Sequence, residues 1–218
     1  MGTSGVSVLI PETGKPGLDW ISAVDQASGL FYAGAWLVIL MGFLGVVAFV
    51  GFYDVLREAG PVMILAPVLG VIGLTLVTVS HLIPIAMGYQ LVPAYVAAEP
   101  AAQTTLAATA DTLASMALVT NSAGNFLGWG VVLPMYSLAI LTTRALPRWL
   151  GWFGLLVGLL AGWLGLLSPV SAVFEGVSTI GFLGFFAFML SMGIAMLLRH
   201  RRAEVGGIHG VPAAPAST

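Results

Sequence analysis

Five runs of apolar residues, each long enough to cross a bilayer and most of them ending at arginine, govern what this chain can become. A helix rises ~1.5 Å per residue, so roughly 20 mostly apolar residues traverse a hydrocarbon core of ~30 Å. The qualifying stretches are Phe31–Tyr53, Pro61–Met87, Ala123–Thr143, Trp149–Ser168 and Ala172–Leu198. They are too long for the strands of a membrane barrel and lack the required alternation. The expected fold class is all-α: an integral membrane helix bundle of five transmembrane helices plus an outer interfacial or extended helix.

Composition leads to the same class. The chain is 59% hydrophobic and 7% charged, where a water-facing domain carries about 25% charged residues. Lipid must therefore solvate its outside, and the bilayer is the first expected partner. A net charge of −2 offers nothing to nucleic acid. Cysteine is absent, which excludes disulfides, thiolate catalysis and cysteine-held metals or clusters.

Of the seven Lys and Arg residues, six lie at the ends of apolar runs. Arg57 follows the first run, Arg144 and Arg148 separate the third from the fourth, and Arg199, Arg201 and Arg202 follow the last. Cytoplasmic loops are enriched in Lys and Arg. Threading all six inward puts the amino terminus outside and the carboxyl terminus on the cytoplasmic side of the membrane. Residues 1–30 then form an extracytoplasmic tail, 31–198 the bundle, and 199–218 a basic, disordered cytoplasmic tail. No basic region precedes a short apolar stretch, so no cleavable signal is expected and the first span acts as its own.

Thr104–Thr120 is moderately apolar but carries Asp111 in its middle. A carboxylate at mid-bilayer costs roughly 2.5–3.5 kcal/mol on insertion scales. The segment is expected as an outer interfacial helix or an outward extension of the third span, with Asn121–Asn125 as the joint.

Within lipid, helices associate by close packing rather than by the hydrophobic effect. Gly151, Gly154, Gly158, Gly162 and Gly165 recur every three or four residues along one side of the fourth span. Gly184, Ala187, Ser191 and Ala195 form a row of small residues on the fifth. With Pro169 turning the chain between them, the two rows are expected to face each other in an antiparallel pair. Gly124 and Gly128 make a GxxxG pair that is ordinary for a membrane helix. Pro67 and Pro134 lie inside spans and are expected to kink them.

The segment Leu146-Pro147-Arg148-Trp149-Leu150-Gly151-Trp152-Phe153-Gly154, followed by Gly158, resembles the LPRWLGW signature of a family of bacterial multi-pass membrane proteins. The domain that defines that family has no known function. The resemblance is specific over roughly Gly128–Gly165 and looser elsewhere. It implies a helix bundle of similar length and brings no catalytic residue. Physically the motif is a tight inner turn. Pro147 starts a helix, Arg148 stays with phosphates, and Trp149 and Trp152 anchor at the headgroup level.

Polar residues in spans are costly and so become functional candidates. His81, Thr78, Asp111, Asn121, Asn125 and Glu175 all fall toward the outer side. Thr78 and His81 share a helix face, as do Asn121 and Asn125. Converging, they form an outward polar pocket in which His81 binds a haem, a quinone carbonyl or a metal, with Glu175 or Asp111 as proton partner. The plainer alternative is a helix-capping His81 and a Glu175 that complements a helix dipole. His81 is the one histidine in a span, which argues against a bis-histidine haem within one chain. No phosphate loop, nucleophile elbow or zinc helix is present. The cofactor is left unspecified. The expected function is a non-catalytic subunit or interaction protein, joined to itself or to other membrane subunits. The alternative is a binding or transport protein for a lipid, quinone or haem.

Overall fold

The computed structural model describes Ile21, Val24, Asp25 and residues 28–208. Lys15, Trp20 and the acids Glu12 and Asp19 lie outside the described residues, as do residues 209–218. Among the described residues from 28 onward, six α-helices follow in order: α1 (Ser28–Leu56), α2 (Leu65–Ala97), α3 (Pro100–Asn125), α4 (Leu133–Thr143), α5 (Arg148–Val157) and α6 (Ala172–Ile208). A π-helical stretch, Phe126–Val132, joins α3 to α4 without a break. A second, Gly158–Trp163, continues α5 and runs into a 3-10 turn over Leu164–Val170. The last helix continues to Ile208, past the Leu198 end read from the sequence.

These elements make 5 helices long and apolar enough to cross a membrane: Gly29–Ala59, Pro61–Ala97, Pro100–Thr143, Arg148–Leu167 and Gly176–Arg201. The protein is thus an all-helical, multi-pass membrane protein in contact with lipid. The expected joint at Asn121–Asn125 is not there. Pro100–Thr143 is one helical rod of 44 residues, ~65 Å long at ~1.5 Å per residue. Asn and Ser are weak helix formers, but the close approach of α2 to α3 holds the segment helical.

Sharp turns at one end bring the arginines together. Gly60 has φ +130°, a conformation open to glycine, and Pro61 starts the next helix. Arg144 closes α4 in the left-handed region at φ 56°, its N–H donating to Ile140 O at 3.0 Å. Antiparallel alternation sets Arg57, Arg144, Arg148 and Arg199 at this end. Arg199 Nη1 donates to Ala145 O at 3.4 Å, tying the end of α6 to the α4–α5 turn.

The rod formed by α3 and α4 is the centre of the bundle. In the apolar window of that span 44% is buried, against 17% for the α6 span, which lies at the periphery. Toward the arginine end, Phe49, Phe52, Tyr136, Ile140, Leu150, Phe188 and Met192 join α1, α4, α5 and α6 in one core. Tyr136 Oη donates to Phe49 O at 2.7 Å, so its hydroxyl is satisfied inside that core. Toward the opposite end, Ile21, Val24, Phe31, Met87, Val92 and Ala110 make a separate core between α1 and the α2–α3 hairpin.

The glycine stripe of the fourth span is filled mainly from the third span and only in part by the fifth. A Cβ at Gly151 would lie 2.6 Å from Leu141 Cγ, and one at Gly158 would lie 2.8 Å from Pro134 Cγ. Gly162 sits against the Gly130 backbone. Residues 130, 134, 137 and 141 thus occupy the stripe from the central rod. Only Gly165, near Ser178, and Gly154, near Phe188 as well as Ser137, also look toward α6. The matching row on α6 is corrected accordingly. Gly184 meets Val157 and Ser191 is half-buried, but Ala187 is exposed, and α6 seats Gly181, Phe188 and Met192 inward instead. With the stripe largely occupied by α4, α6 packs on another side of the fourth span, with Gly181 against Ala161 and Gly184 against Val157 as well as Phe188 against Gly154.

The Gly124 and Gly128 pair divides. A Cβ at Gly124 would lie 2.6 Å from the Gly73 carbonyl, whereas one at Gly128 meets nothing within 4 Å. Gly124 is therefore a backbone contact between α2 and α3, and its partner Gly73 is a residue the sequence pattern did not single out.

Candidate functional site

Between the two cores α2 carries a short polar layer. Its contacts with α1 define a register: Phe49 lies against Gly70, Gly42 against Thr78, and Tyr32 against Gly88. His81 falls on the same stripe, level with Ile39. It is the twenty-first residue from Pro61, ~30 Å along the axis from the arginine end. Asn121 is at a comparable distance from Thr143. The layer therefore stands where a bilayer seated on the arginine end has its far boundary, and the rest of the α2–α3 hairpin extends ~25 Å past it.

His81 is 5% exposed and Ser80 1%. Both turn back onto one carbonyl: Ser80 Oγ donates to Val77 O at 2.6 Å, and His81 Nδ1 is 2.8 Å from the same oxygen. A carbonyl only accepts, so Nδ1 carries the proton. In the neutral ring Nε2 is then bare. Nε2 makes no hydrogen bond to any described residue. Ser80 Oγ also lies 3.2 Å from His81 Nδ1 and 3.3 Å from Asn121 Oδ1, which links the layer to α3.

A proline completes it. Pro84 is buried inside α2 and has no N–H to give the carbonyl of Ser80, four residues back. No side chain among the described residues donates to that oxygen. Two acceptors, His81 Nε2 and Ser80 C=O, thus stand within one buried turn.

The central rod has the same kind of break. Pro134 has no N–H for Gly130 C=O, and the helix widens into the π stretch Phe126–Val132 just before it. This replaces the simple kink expected there. Here the chain supplies a substitute: Trp163 Nε1 donates to Gly130 O at 3.0 Å, and its ring meets Phe126 edge-on at 5.0 Å. Gly162, packed on Gly130, lets the two π segments approach closely enough for the bond. Pro67, by contrast, lies in the first turn of α2 and kinks nothing.

A model for a domain of unknown function, DUF4386, matches residues 5–199. The chain belongs to the DUF4386 family. The match covers the whole bundle, including the polar layer and the LPRWLGW turn. No curated protein and no solved structure matches this DUF4386 chain.

The remaining candidates of the DUF4386 chain are dispersed. Thr78 donates to Leu74 O at 2.8 Å and faces α1 at Gly42. Asn125 is half-buried, one turn closer to the arginine end than Asn121. Asp111 is exposed on α3, ten residues and ~15 Å beyond Asn121, and does not reach His81. Glu175 is the fourth residue of α6, on a turn that packs against residues 164–170, and its side chain lies outside the described residues. Among the described residues no three His, Cys, Asp or Glu side chains are grouped to hold a metal ion. Arg148, Trp149 and Trp152 are all exposed beside the α4–α5 turn. Ser80 and Pro84 are the members that the sequence pattern missed. The signal was a proline four residues after a serine and three after the one intramembrane histidine.

Proposed function

We propose that this DUF4386 protein is a non-catalytic binding or transport protein. It receives a small, largely apolar molecule in the polar layer of α2 and α3, at the outer face of a bacterial plasma membrane. The single observation that carries the reading is His81, which is buried yet has a ring nitrogen without a hydrogen-bond partner among the described residues. Buried polar groups are almost always hydrogen-bonded, and an exception calls for a physical reason. Ser80 and Asn121 shape the layer around it, and Thr78, Asn125, Asp111 and Glu175 are peripheral.

Orientation follows from the arginines. Arg57, Arg144, Arg148, Arg199 and Arg201 sit in the cytoplasmic leaflet, with Trp149 and Trp152 at the headgroups, and the α2–α3 hairpin stands outside. Residues 1–30 are then extracytoplasmic and 199–218 cytoplasmic. The cysteine-free chain allows a direct check. A single cysteine at Gln103 reacts with an impermeant thiol reagent on intact cells, and one at Glu58 does not.

The test of binding is extraction. Protein purified from native membranes in mild detergent carries a small amphiphile, found by mass spectrometry of its organic extract, that the His81→Ala variant lacks. Identical extracts from both proteins refute the proposal.

One further observation favours a second reading, a subunit of a larger membrane assembly or of a homo-oligomer. The α6 span is the least buried of the five, Ala187 is exposed, and Cβ positions at Gly176 and Gly193 meet nothing within 4 Å. Light scattering of the detergent-purified protein decides it, and a lone monomer without co-purifying partners rejects it.

A further inference from the structure

We infer that the molecule bound at the polar layer is an uncharged, hydroxyl-bearing amphiphile, a phenol, quinol or long-chain alcohol, whose O–H donates to His81 Nε2. The inference rests on the binding role proposed above and narrows it to one chemical class. It follows from what the layer offers and withholds. His81 Nδ1 commits its proton to Val77 O, so the neutral ring presents only a lone pair outward. Ser80 spends its hydroxyl proton on the same carbonyl at 2.6 Å. Pro84 leaves the Ser80 carbonyl without the N–H that a helix ordinarily supplies from four residues on. At His81 itself the free position is an acceptor, and it selects a donor. An anionic head meets lone pairs and no cation, and a carbonyl head, such as that of an oxidised quinone, finds no proton at His81.

The surroundings fix the remaining properties. Ser80 and His81 are almost wholly covered by the chain, so a fully charged head would lose its hydration there without a counter-ion. Exposed Val79 and Leu82 flank the layer on α2 and face the lipid. The apolar body of the ligand therefore lies in the bilayer and its hydroxyl enters sideways, at the level where the hairpin leaves the membrane. A metal ion also seeks a bare imidazole nitrogen, but no grouped His, Cys, Asp or Glu side chains among the described residues would complete its shell.

The experiment uses the full chain in detergent with two probes of nearly equal shape, para-decylphenol and its methyl ether, para-decylanisole. Binding is read from quenching of tryptophan fluorescence in the wild type and in His81→Ala, with helix content checked by circular dichroism. The phenol is expected to bind the wild type about ten-fold more tightly than the ether, in line with loss of one hydrogen bond to a buried acceptor. In His81→Ala the two probes bind alike. Equal binding of phenol and ether to the wild type overturns the donor class while leaving a binding site. Failure of both probes to bind overturns the binding role and the class together. Should His81→Ala lose its helix content, the wild-type comparison of phenol with ether still decides the matter.

Discussion

Pro84 and Pro134 interrupt two long helices in the same way, and the protein deals with them in opposite ways. Each withholds a backbone N–H from the carbonyl four residues back, in a setting where lipid offers no replacement. At Pro134 the helix widens and Trp163 reaches across from the next span to bond Gly130 O. At Pro84 no side chain among the described residues comes, and the neighbouring His81 adds an acceptor, Nε2, that is bare among them. A third break, Pro93, is exposed, and in the placement proposed above it stands beyond the bilayer, where water can solvate the Tyr89 carbonyl. A proline whose carbonyl is answered from within the fold is architecture. One left open beside a buried histidine is a place for something else.

The largest effect should come from removing what makes the answer at Pro134 reachable. Gly162→Ala sets a Cβ onto the Gly130 backbone, which cannot move aside as a side chain can. We expect a loss of about 3 kcal/mol, the upper end for overpacking, measured by thermal unfolding in detergent. Gly128→Ala, where a Cβ meets nothing, should change stability by no more than about 0.5 kcal/mol. Equal effects at the two glycines would break the contrast.

Trp163→Phe keeps the ring contact with Phe126 but removes the indole N–H, and should cost about 1–2 kcal/mol. In a Pro134→Ala background the residue at 134 can itself donate to Gly130 O. The same substitution should then cost less than half as much. A double-mutant cycle measures this coupling, and additive losses would show that the indole does not serve the proline break.

Pro84→Ala sharpens the other half of the comparison. It gives the Ser80 carbonyl its helix donor, so stability should rise by about 0.5–1 kcal/mol while phenol, which donates its one O–H to His81, still binds. A fall in stability would mean that Ser80 C=O is not an open acceptor. A small loss is expected for Tyr136→Phe. It removes one hydroxyl bond to Phe49 O, worth about 0.6 kcal/mol on average for polar pairs in membrane helices.

Much of the bundle was legible because lipid imposes few rules. Length and apolarity located the five spans, and arginine placement grouped Arg57, Arg144 and Arg148 at one end. The continuity of the third helix was one of two readings the sequence left open, and the structure takes it, without the joint expected at Asn121–Asn125. Thr, Ser, Asn and Asp over 104–125 resemble a surface segment, and only the backbone contact of Gly73 with Gly124 explains why they run on as one rod. The partner of the glycine stripe was also hidden, since a small-residue face records that something comes close but not which helix does. At the site, His81 and Asn121 could be picked out as polar residues in apolar runs, whereas Ser80 could not, because serine is cheap in a membrane helix. The open Ser80 carbonyl was readable from the four-residue offset to Pro84. The Trp163 bond to Gly130 O depends on tertiary packing and was not.

The claim at the centre is that His81 holds a proton on Nδ1 and keeps Nε2 vacant for a donor. Nitrogen NMR of histidine-labelled protein in detergent, with the His81 signals assigned by the His81→Ala variant, reads this directly. The expected spectrum has a protonated Nδ1 and an unprotonated, unbonded Nε2 that shifts toward the hydrogen-bonded range when para-decylphenol is added. A proton already on Nε2, or a resonance indifferent to the phenol, would contradict the account.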